Sequence, residues 1–385
     1  MKIALVRARY NPYGGAERFA ARARAALAAD RAQAFEIAVL ARRWDDVEAG
    51  GSVIVPRLIR CDPFYVGSVW RDASFAAAVH RRLADERFDL VQSHERIAGL
   101  PIYRAGDGVH ASWLERRARA GGNATRLAIA LNPHHRYLLK AERAMFEHPS
   151  LQAVICNSEM VRREIRERFA IDGDKLVLIR NGVDLDRFDP KAADVHRDAL
   201  RARLQIPDHA TVFTMVGSGF ERKGVGLALL GLRDCPDAVL AVVGDDKHHR
   251  RYEADAVRLG VAGRVRFAGG VADPLPWFAM ADFYLAPTLY DPFPNAVLEA
   301  LACGLPVITT DACGGAELIA EDVSGWVLSS GDAEAAAVAM QIAVATDASR
   351  RSAMAAAARR AAEPYSLAAL STALTVLYRS LLQGR

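Results

Sequence analysis

The sequence predicts an α/β protein built from two doubly wound domains, each with a parallel sheet. Short apolar runs alternate with amphipathic helical segments along the 385 residues, and this alternation occurs as two series in tandem. Because the crossover between parallel strands is right-handed, each series should form its own Rossmann-like sheet. The chain is also too long for one typical core, which favours the same two-domain organisation.

The individual elements follow from the apolar runs and the amphipathic segments between them. In the first series, strands are predicted at residues 3–7, 36–40, 52–55, 90–93, 153–157 and 175–179. In the second series, they are predicted at residues 212–216, 238–243, 265–268, 283–286, 307–309 and 325–327. Helices between them include residues 16–29, 74–85, 158–169 and 333–345.

The two predicted domains meet at a turn-rich linker that follows the last strand of the first series. Near the other end, a Glu-Pro-Tyr sequence breaks an alanine-rich helix, and one more helix follows. We therefore predict domains at residues 1–183 and 184–363, with a separate helix within residues 364–385 that crosses back to the first domain. Ligands of open α/β sheets bind beyond the strand carboxyl ends, so we expect a site in a cleft between facing domains.

Composition argues against several classes of protein. Five scattered cysteines without CxxC spacing indicate neither a disulfide framework nor a zinc site. The first seven residues predict a buried strand rather than a signal peptide, and no apolar run approaches 18 residues. From this pattern we expect a cytosolic protein in a reducing compartment.

Charge is distributed unevenly between the two halves. Residues 1–185 contain 30 Lys and Arg against 22 Asp and Glu, whereas the remainder contains 20 against 24. This asymmetry indicates two domains with different partners. The sequence has no zinc-finger spacing and no RNA-recognition aromatic motif. We therefore interpret the basic half as facing a membrane or an anionic acceptor rather than nucleic acid.

Two carboxylates eight residues apart form the most informative motif. Asp291 precedes a predicted helix, and Glu299 lies about one turn inside it. Asn295 is a suitable N-cap, residues 296–303 have helical periodicity, and a Gly-Leu-Pro sequence ends the helix. The helix N-terminus suits a phosphate, and each carboxylate can accept hydrogen bonds from hydroxyl groups. The motif therefore predicts a nucleotide-sugar site.

The same stretch resembles the acidic-x7-acidic signature of family 4 retaining glycosyltransferases. In that family the first acid contacts the transferred sugar and the second binds the ribose diol. Here Asp291 stands where the family usually has Glu, and Glu299 is the second acid. The resemblance covers nearly the whole chain. It implies the GT-B fold, with the acceptor in the first domain and the donor in the second, and it adds the donor-binding residues Pro294, Asn295 and Ala296.

In each half of the chain, a glycine turn precedes the first helix. Gly14 and Gly15 allow close approach of a ligand to the backbone, and they resemble the Gly-Gly-x-Glu loop of the same family, which touches the donor phosphate. Gly217 is followed by the adjacent cations Arg222 and Lys223, which suit a pyrophosphate leaving group. Arg222 takes the place of an Arg that the family carries nearer the strand. We expect both cations to face the acidic pair from across the cleft.

Asp107 is the candidate polar group near the reacting sugar. It lies in a Gly-Asp-Gly turn after a strand, which would expose its carboxylate to the cleft. The segment resembles the corresponding region of lipopolysaccharide-core glucosyltransferases, in which an Asp faces the reacting sugar. A plain turn aspartate is the alternative, and His94 and His110 are interpreted as structural histidines.

Seven cations are interleaved with Leu, Ile, Tyr and Phe between residues 113 and 146. This pattern predicts a basic amphipathic surface for an anionic membrane, and a solvated helix face is an equal alternative. The cations are Arg116, Arg117, Arg119, Arg126, Arg136, Lys140 and Arg143.

Together, the motifs and the resemblance predict a retaining hexosyltransferase that needs no metal or other cofactor. The catalytic residues would be Asp107, Arg222, Lys223 and Asp291. The expected donor is a UDP-hexose, and the expected acceptor is a saccharide or glycolipid of the lipopolysaccharide or lipooligosaccharide core. The protein would lie in the cytoplasm, peripherally on the inner face of the cytoplasmic membrane.

Alternatives from other classes remain open at this point. A nicotinamide-dependent oxidoreductase would share the architecture but needs GxGxxG, which neither glycine turn supplies. A non-catalytic, membrane-associated nucleotide-sugar-binding protein would keep the donor site without turnover. A GT-B sugar epimerase would not need the basic amphipathic stretch.

Overall fold

The computed structural model describes residues 2–10, 36–44 and 57–383. The chain divides into two compact units, one formed by Met1–Gly182 with Leu367–Arg385 and the other by Val183–Ser366. The predicted glycine turn of Gly14 and Gly15, the predicted helix 16–29 and the predicted strand 52–55 lie outside the described residues.

Within the described residues, the first unit contains a seven-stranded parallel sheet with the order β5-β3-β1-β6-β7-β8-β9. Most of its strands are short apolar runs with buried side chains, as expected for a parallel sheet covered on both faces. The strands are β1 (Lys2–Val6), β2 (Arg9–Tyr10), β3 (Glu36–Ala41), β4 (Arg43–Trp44), β5 (Arg57–Arg60), β6 (Leu90–Ser93), β7 (Ile102–Arg104), β8 (Ala153–Cys156) and β9 (Leu176–Leu178), of which β2 and β4 form a separate pair.

The helices of the first unit include the last helix of the chain, which packs on the same core as β1, β3 and β6. The hydroxyl of Tyr378, on that helix, donates to the Gln92 side chain at 2.7 Å. This packing agrees with the predicted crossing of the last helix to the first domain. The helices are α1 (Gly67–Asp85), α2 (His110–Ala120), α3 (Asn123–Leu131), α4 (Pro133–Phe146) and α5 (Glu159–Arg168). The last helix of the chain, α15 (Leu367–Gln383), also belongs to this unit, although it follows the second unit in sequence.

The second unit, whose side chains are described except at residues 193–194, contains a six-stranded parallel sheet with the order β12-β11-β10-β13-β14-β15. Alternate side chains of β10 enter two different cores, Val212 on one face and Phe213 on the other, so helices cover both faces. The strands are β10 (Thr211–Val216), β11 (Ala238–Val243), β12 (Val265–Gly269), β13 (Phe283–Ala286), β14 (Val307–Thr310) and β15 (Gly325–Leu328).

One helix of the second unit precedes the first of these strands, and the others connect the strands or follow the last of them. They are α6 (Pro190–Arg203), α7 (Phe220–Lys223), α8 (Val225–Arg233), α9 (His249–Arg258), α10 (Leu275–Ala279), α11 (Asn295–Ala302), α12 (Ala333–Val344) and α13 (Ala348–Ala362), with the 3-10 turn Glu363–Tyr365, labelled α14, before α15. The α/β class with two parallel sheets, as predicted, is confirmed.

Three predicted boundaries or omissions are corrected. Helix α1 begins at Gly67, well before the predicted residue 74, because the Ser74 hydroxyl donates to the Arg71 carbonyl inside the helix instead of capping its start. Strand β7 was not predicted, since three residues are too few to show a period. The alanine-rich tract forms two helices, and the Asp347 side chain caps the second by accepting from the Arg350 N–H at 2.8 Å.

Candidate functional site

The glycine turn after β10 is shaped to carry the Lys223 side chain across it. Gly217 has a φ of 139°, and a Cβ there would lie 2.6 Å from the Lys223 Cε atom. Any side chain at this position would therefore collide with the lysine. Gly219, with a φ of 81°, then starts the short helix α7, which ends at Lys223.

Two aspartates after β11 hold this turn in place. The Asp246 carboxylate accepts a hydrogen bond from the Phe220 N–H at 2.8 Å, at the start of α7. The Asp245 N–H donates to the Ser218 hydroxyl at 3.2 Å. Sequence analysis assigned no role to this Asp-Asp pair, because nothing local indicates that β10 and β11 end side by side. Both residues support the site.

Lys223 and Arg222 meet the first acid of the predicted pair. The Lys223 Nζ atom lies 2.8 Å from Asp291 Oδ2, and an Arg222 Nη1 atom lies 3.0 Å from the same oxygen. Arg222 also donates to the Tyr290 carbonyl at 3.3 Å and is 36% exposed. The expectation that the cations face the acidic residue from across a cleft is wrong, because β10 and β13 are neighbours in one sheet.

The electrostatics of this cluster favour an ionised carboxylate. Burial by itself would raise the pKa of Asp291, and the charges and hydrogen bonds of Lys223 and Arg222 outweigh it, so the pKa lies below its usual value. One carboxylate thus stands against two cations. The cluster has an excess of positive charge at the carboxyl edge of the sheet, where ligands of such sheets bind.

The backbone around Asp291 is fixed by the neighbouring strand β14. The Asp291 N–H donates to the Ala312 carbonyl at 2.9 Å, and the Gly314 N–H donates to the Asp291 carbonyl at 2.8 Å. A Cβ on Gly315 would lie 2.8 Å from the Val297 side chain of α11. The absence of a side chain at Gly315 therefore lets helix α11 pack close to the segment that follows β14.

Helix α11 carries the second acid. Glu299 lies one turn inside the helix and is buried, as are Pro294 and Asn295, whereas Ala296 is half-buried. Asn295 is not the N-cap, contrary to the sequence prediction. Pro294 occupies the cap position, and its carbonyl accepts the first helical hydrogen bond, from Val297, at 3.2 Å.

In the first unit, Asp107 lies in the predicted turn after β7. Gly108 has a φ of 67°, and its N–H donates to the Ala105 carbonyl at 3.2 Å. The Asp107 side chain is 51% exposed, and its Oδ2 atom lies 3.4 Å from an Arg7 Nη1 atom. The same Arg7 atom lies 3.4 Å from Glu95, so one guanidinium bridges two carboxylates at the carboxyl edge of this sheet.

The two histidines singled out from the sequence occupy packed positions. Burial lowers the pKa of His94 well below its usual value, and its Nε2 atom lies 3.0 Å from the Gln92 side-chain amide. Burial also lowers the pKa of His110, to about 3. Glu142, which sequence analysis did not single out, accepts hydrogen bonds from the His110 N–H and from Arg96. It therefore fixes the start of α2.

An open groove adjoins the glycine turn at the carboxyl ends of β11 and β12. It has a volume of 500 Å³ and includes His249 and Phe267, whose rings are in edge-to-face contact. Among the described residues, no three His, Cys, Asp or Glu side chains are grouped so as to hold a metal ion. The residues present at this edge supply two cations, two carboxylates and a helix N-terminus, which suit a phosphate bonded to hydroxyl-bearing groups.

Two family models match this chain. The model described as Glycosyltransferase Family 4 matches residues 13–187, and the model described as Glycosyl transferases group 1 matches residues 196–361. Together they span most of the sequence, and each coincides with one sheet. The chain belongs to the family 4 glycosyltransferases, sugar-transferring enzymes of EC class 2.4 with the GT-B fold.

Particular relatives make the comparison specific. The lipopolysaccharide glucosyltransferase WaaG of Escherichia coli (strain K12) is 28% identical over 333 residues, 85% of each chain. The crystal structure of WaaG, a glycosyltransferase involved in lipopolysaccharide biosynthesis, matches with a TM-score of 0.83 at 26% identity, covering 98% of this chain and 99% of that one. Anabaena HepE in complex with UDP-glucose matches with a TM-score of 0.72 over 99% of this chain and 100% of its own, but at 20% identity this shows the fold alone.

Proposed function

We propose that this glycosyltransferase moves a hexose from a nucleotide-diphospho-sugar, with UDP-hexose as the expected donor, to a saccharide of the lipopolysaccharide or lipooligosaccharide core. The observation that carries the proposal is the contact of Arg222 and Lys223 with Asp291, beside the helix that bears Glu299. The name of the relative from Escherichia coli, a lipopolysaccharide glucosyltransferase, supports the choice of sugar and acceptor.

The donor diphosphate would replace the Asp291 carboxylate as the partner of the two cations. The sugar hydroxyls would then donate hydrogen bonds to the Asp291 carboxylate, and the ribose diol would donate to Glu299. As the sugar–phosphate bond breaks, negative charge grows on the diphosphate, and fixed cations stabilise that charge without a metal ion. Retention of configuration is part of the proposal and follows from the family resemblance.

Asp107 is proposed as the polar group of the first unit that acts near the anomeric carbon. Its exposed carboxylate beside Arg7 supports this role, because the arginine keeps a negative charge in place at the edge of the sheet. The acceptor would bind this unit, in agreement with the positive charge of the first half of the chain.

Donor specificity gives the first test. When the full chain is incubated with UDP-, GDP- and ADP-hexoses and a core oligosaccharide acceptor, nucleotide release should be fastest with a UDP-hexose. It should persist when EDTA is present, because the cations replace a metal. Release that requires Mg²⁺, or binding of NAD with no binding of any nucleoside diphosphate, would contradict the proposal.

The same experiment separates the remaining alternatives. A non-catalytic nucleotide-sugar-binding protein would bind UDP without releasing it from the sugar donor. A sugar epimerase would convert the donor in the absence of acceptor, whereas a glycosyltransferase should release nucleotide much faster when the acceptor is added. Product configuration, read by NMR of the anomeric proton, tests retention.

A membrane-facing surface on the first unit is also proposed. Helix α3 exposes both of its leucines, and Leu131 is 66% exposed. Phe64, 76% exposed, contacts the half-exposed Trp70 edge-to-face at 5.7 Å. The Asp72–His134 hydrogen bond, 2.8 Å, joins the helix that carries Trp70 to the helix that follows α3. Aromatic and leucine side chains flanked by arginines suit the headgroup region of an anionic membrane.

Vesicle co-sedimentation tests this surface. Within the described residues, no helix is long and apolar enough to cross a membrane, so binding should be interfacial, should prefer anionic lipid and should fall with salt. Replacing exposed Arg119 or Arg136 with Ser should each lower partitioning about fivefold, since each basic residue near such a surface contributes about 1 kcal/mol. Arg116, although it is one of the cations found in the sequence, is a poorer choice for this substitution, because its guanidinium lies 3.8 Å from the Glu164 carboxylate.

The apolar part of the surface has a matched control. Trp70→Ser should weaken binding, whereas Val257→Ser, which alters an exposed apolar residue of the second unit, should have no effect. Binding that is independent of salt, or equal for both variants, counts against the surface.

A further inference from the structure

The second unit has an arginine-lined groove at the amino-terminal edge of its sheet. The groove has a volume of 620 Å³ and lies between helices α6 and α13. Asp282 and Pro306, in its wall, immediately precede β13 and β14. The donor site lies at the carboxyl ends of the same strands, and four residues of strand separate the two edges by roughly 13 Å. The groove is therefore a distinct place in the fold.

One wall of the groove holds a carboxylate that accepts three hydrogen bonds. Asp282 accepts hydrogen bonds from Arg197 and Arg201, each at 2.7 Å, and from the Val212 N–H at 2.8 Å. Burial and the nearby charges of Arg197 and Arg351 lower the pKa of Arg201, although Asp282 opposes this shift. Two guanidinium groups thus share one carboxylate, and positive charge is crowded at this wall.

Arg359 forms a second, rigid part of the wall. Its guanidinium donates to the carbonyls of Phe188 and Ala302, both at 2.7 Å, and lies 3.4 Å from Asp189. Because backbone carbonyls hold this guanidinium, it stays in position whether or not the groove is occupied. It also joins helix α13 to the last residue of α11, the helix that carries Glu299.

Arg351 and Arg360 project from α13 into the same groove beside the Ser352 hydroxyl and two alanines. Among the described residues, neither guanidinium has a hydrogen bond or an ion pair. Among the side chains that the structure describes around the groove, five arginines face three carboxylates, an excess of two positive charges. The carboxylates are Asp189, Asp282 and Glu363, and the arginines are Arg197, Arg201, Arg351, Arg359 and Arg360.

We propose that this groove binds a small phosphorylated molecule. An arginine guanidinium matches the oxygens of a phosphate, and an excess of two charges matches a dianion. The volume lies within the range of small-molecule sites and exceeds what one phosphate fills, and Pro190, Ala355 and Ala356 supply apolar surface for the rest of the molecule. The site is separate from the proposed donor site and does not depend on the identity of the donor.

Calorimetric titration of the full chain tests the proposal, with inorganic phosphate and glucose 6-phosphate as probes. Both should bind, and the sugar phosphate should bind more tightly. The double variant Arg351→Gln/Arg360→Gln should weaken both by at least about tenfold, because each charge-assisted hydrogen bond contributes substantially to affinity. Neither side chain has a partner to lose, so the melting temperature of the ligand-free variant should not fall.

Two controls decide the location of binding. Arg350→Gln removes the same charge from the same helix, at a residue that pairs with Asp322 at 3.0 Å outside the groove, and should leave affinity unchanged. Lys223→Ala disables the donor site and should also leave it unchanged. Affinity that is lost in Lys223→Ala but kept in the double variant would overturn the proposal, as would the absence of binding by both probes.

Discussion

Replacing Lys223 with alanine should lower kcat by roughly a hundred- to a thousandfold and change the KM for the donor far less. The lysine is held over Gly217 and reaches Asp291 at 2.8 Å, so its charge is in position before the donor arrives. Charge grows on the diphosphate only as the sugar–phosphate bond breaks, so a fixed cation contributes most in the transition state. Initial rates over a range of donor concentrations give both constants.

Two further variants separate charge from packing. Lys223→Met keeps an unbranched side chain above Gly217 and should lose as much kcat as the alanine variant. Lys191→Ala removes an exposed lysine of the same unit and should leave kcat unchanged. If kcat is intact in Lys223→Ala while KM alone rises, the lysine only anchors the ground state.

Replacing Glu299 with alanine should weaken the binding of UDP itself by about one to two orders of magnitude. Hydrogen bonds to a charged group contribute about 1.5–3 kcal/mol, and Glu299 is proposed to bind both hydroxyls of the ribose. Because the side chain is buried, Glu299→Gln serves as a second variant of the same size. Calorimetry with UDP, in the absence of Mg²⁺, measures the loss.

Asp291→Asn should behave in the opposite way toward UDP. In the ligand-free protein, the single Asp291 carboxylate offsets part of the positive charge of Lys223 and Arg222. In the Asn variant this offset is lost, so the diphosphate meets two uncompensated cations. UDP affinity should therefore be kept or increased, while turnover of the sugar-bearing donor falls. Equal losses of UDP affinity in the Glu299 and Asp291 variants would refute the separate roles of the two acids.

Much of the fold could be predicted because its signals are local. Buried parallel strands such as β11 are continuous apolar runs, and their predicted bounds agree with the structure. Strand β7 was missed because it contains only three residues, one of them a buried arginine that donates to the Asn181 side chain. Its place in the sheet depends on β6 and β8 on either side, which no local pattern encodes.

The candidate site was predicted less completely than the fold. The acidic pair, the two cations and Gly217 could be found because their residue types and spacing are local motifs. Asp246 was not among the predicted site residues, since its contact with the Phe220 N–H spans 26 residues. Asn295 has the residue type of an N-cap, but the preceding proline occupies the cap position.

By itself, the sequence determined the α/β class, the series of strands in each half and the residues of the acidic and cationic motifs, because hydrophobic period and turn chemistry act over a few residues. Only the tertiary structure decided which of these residues touch. Lys223 and Asp291 are 68 positions apart, and they meet because β10 and β13 are adjacent parallel strands whose carboxyl ends lie at the same edge. The arginine groove at the opposite edge arises in the same way, from helices α6 and α13, which are far apart in sequence and line the same groove in the fold.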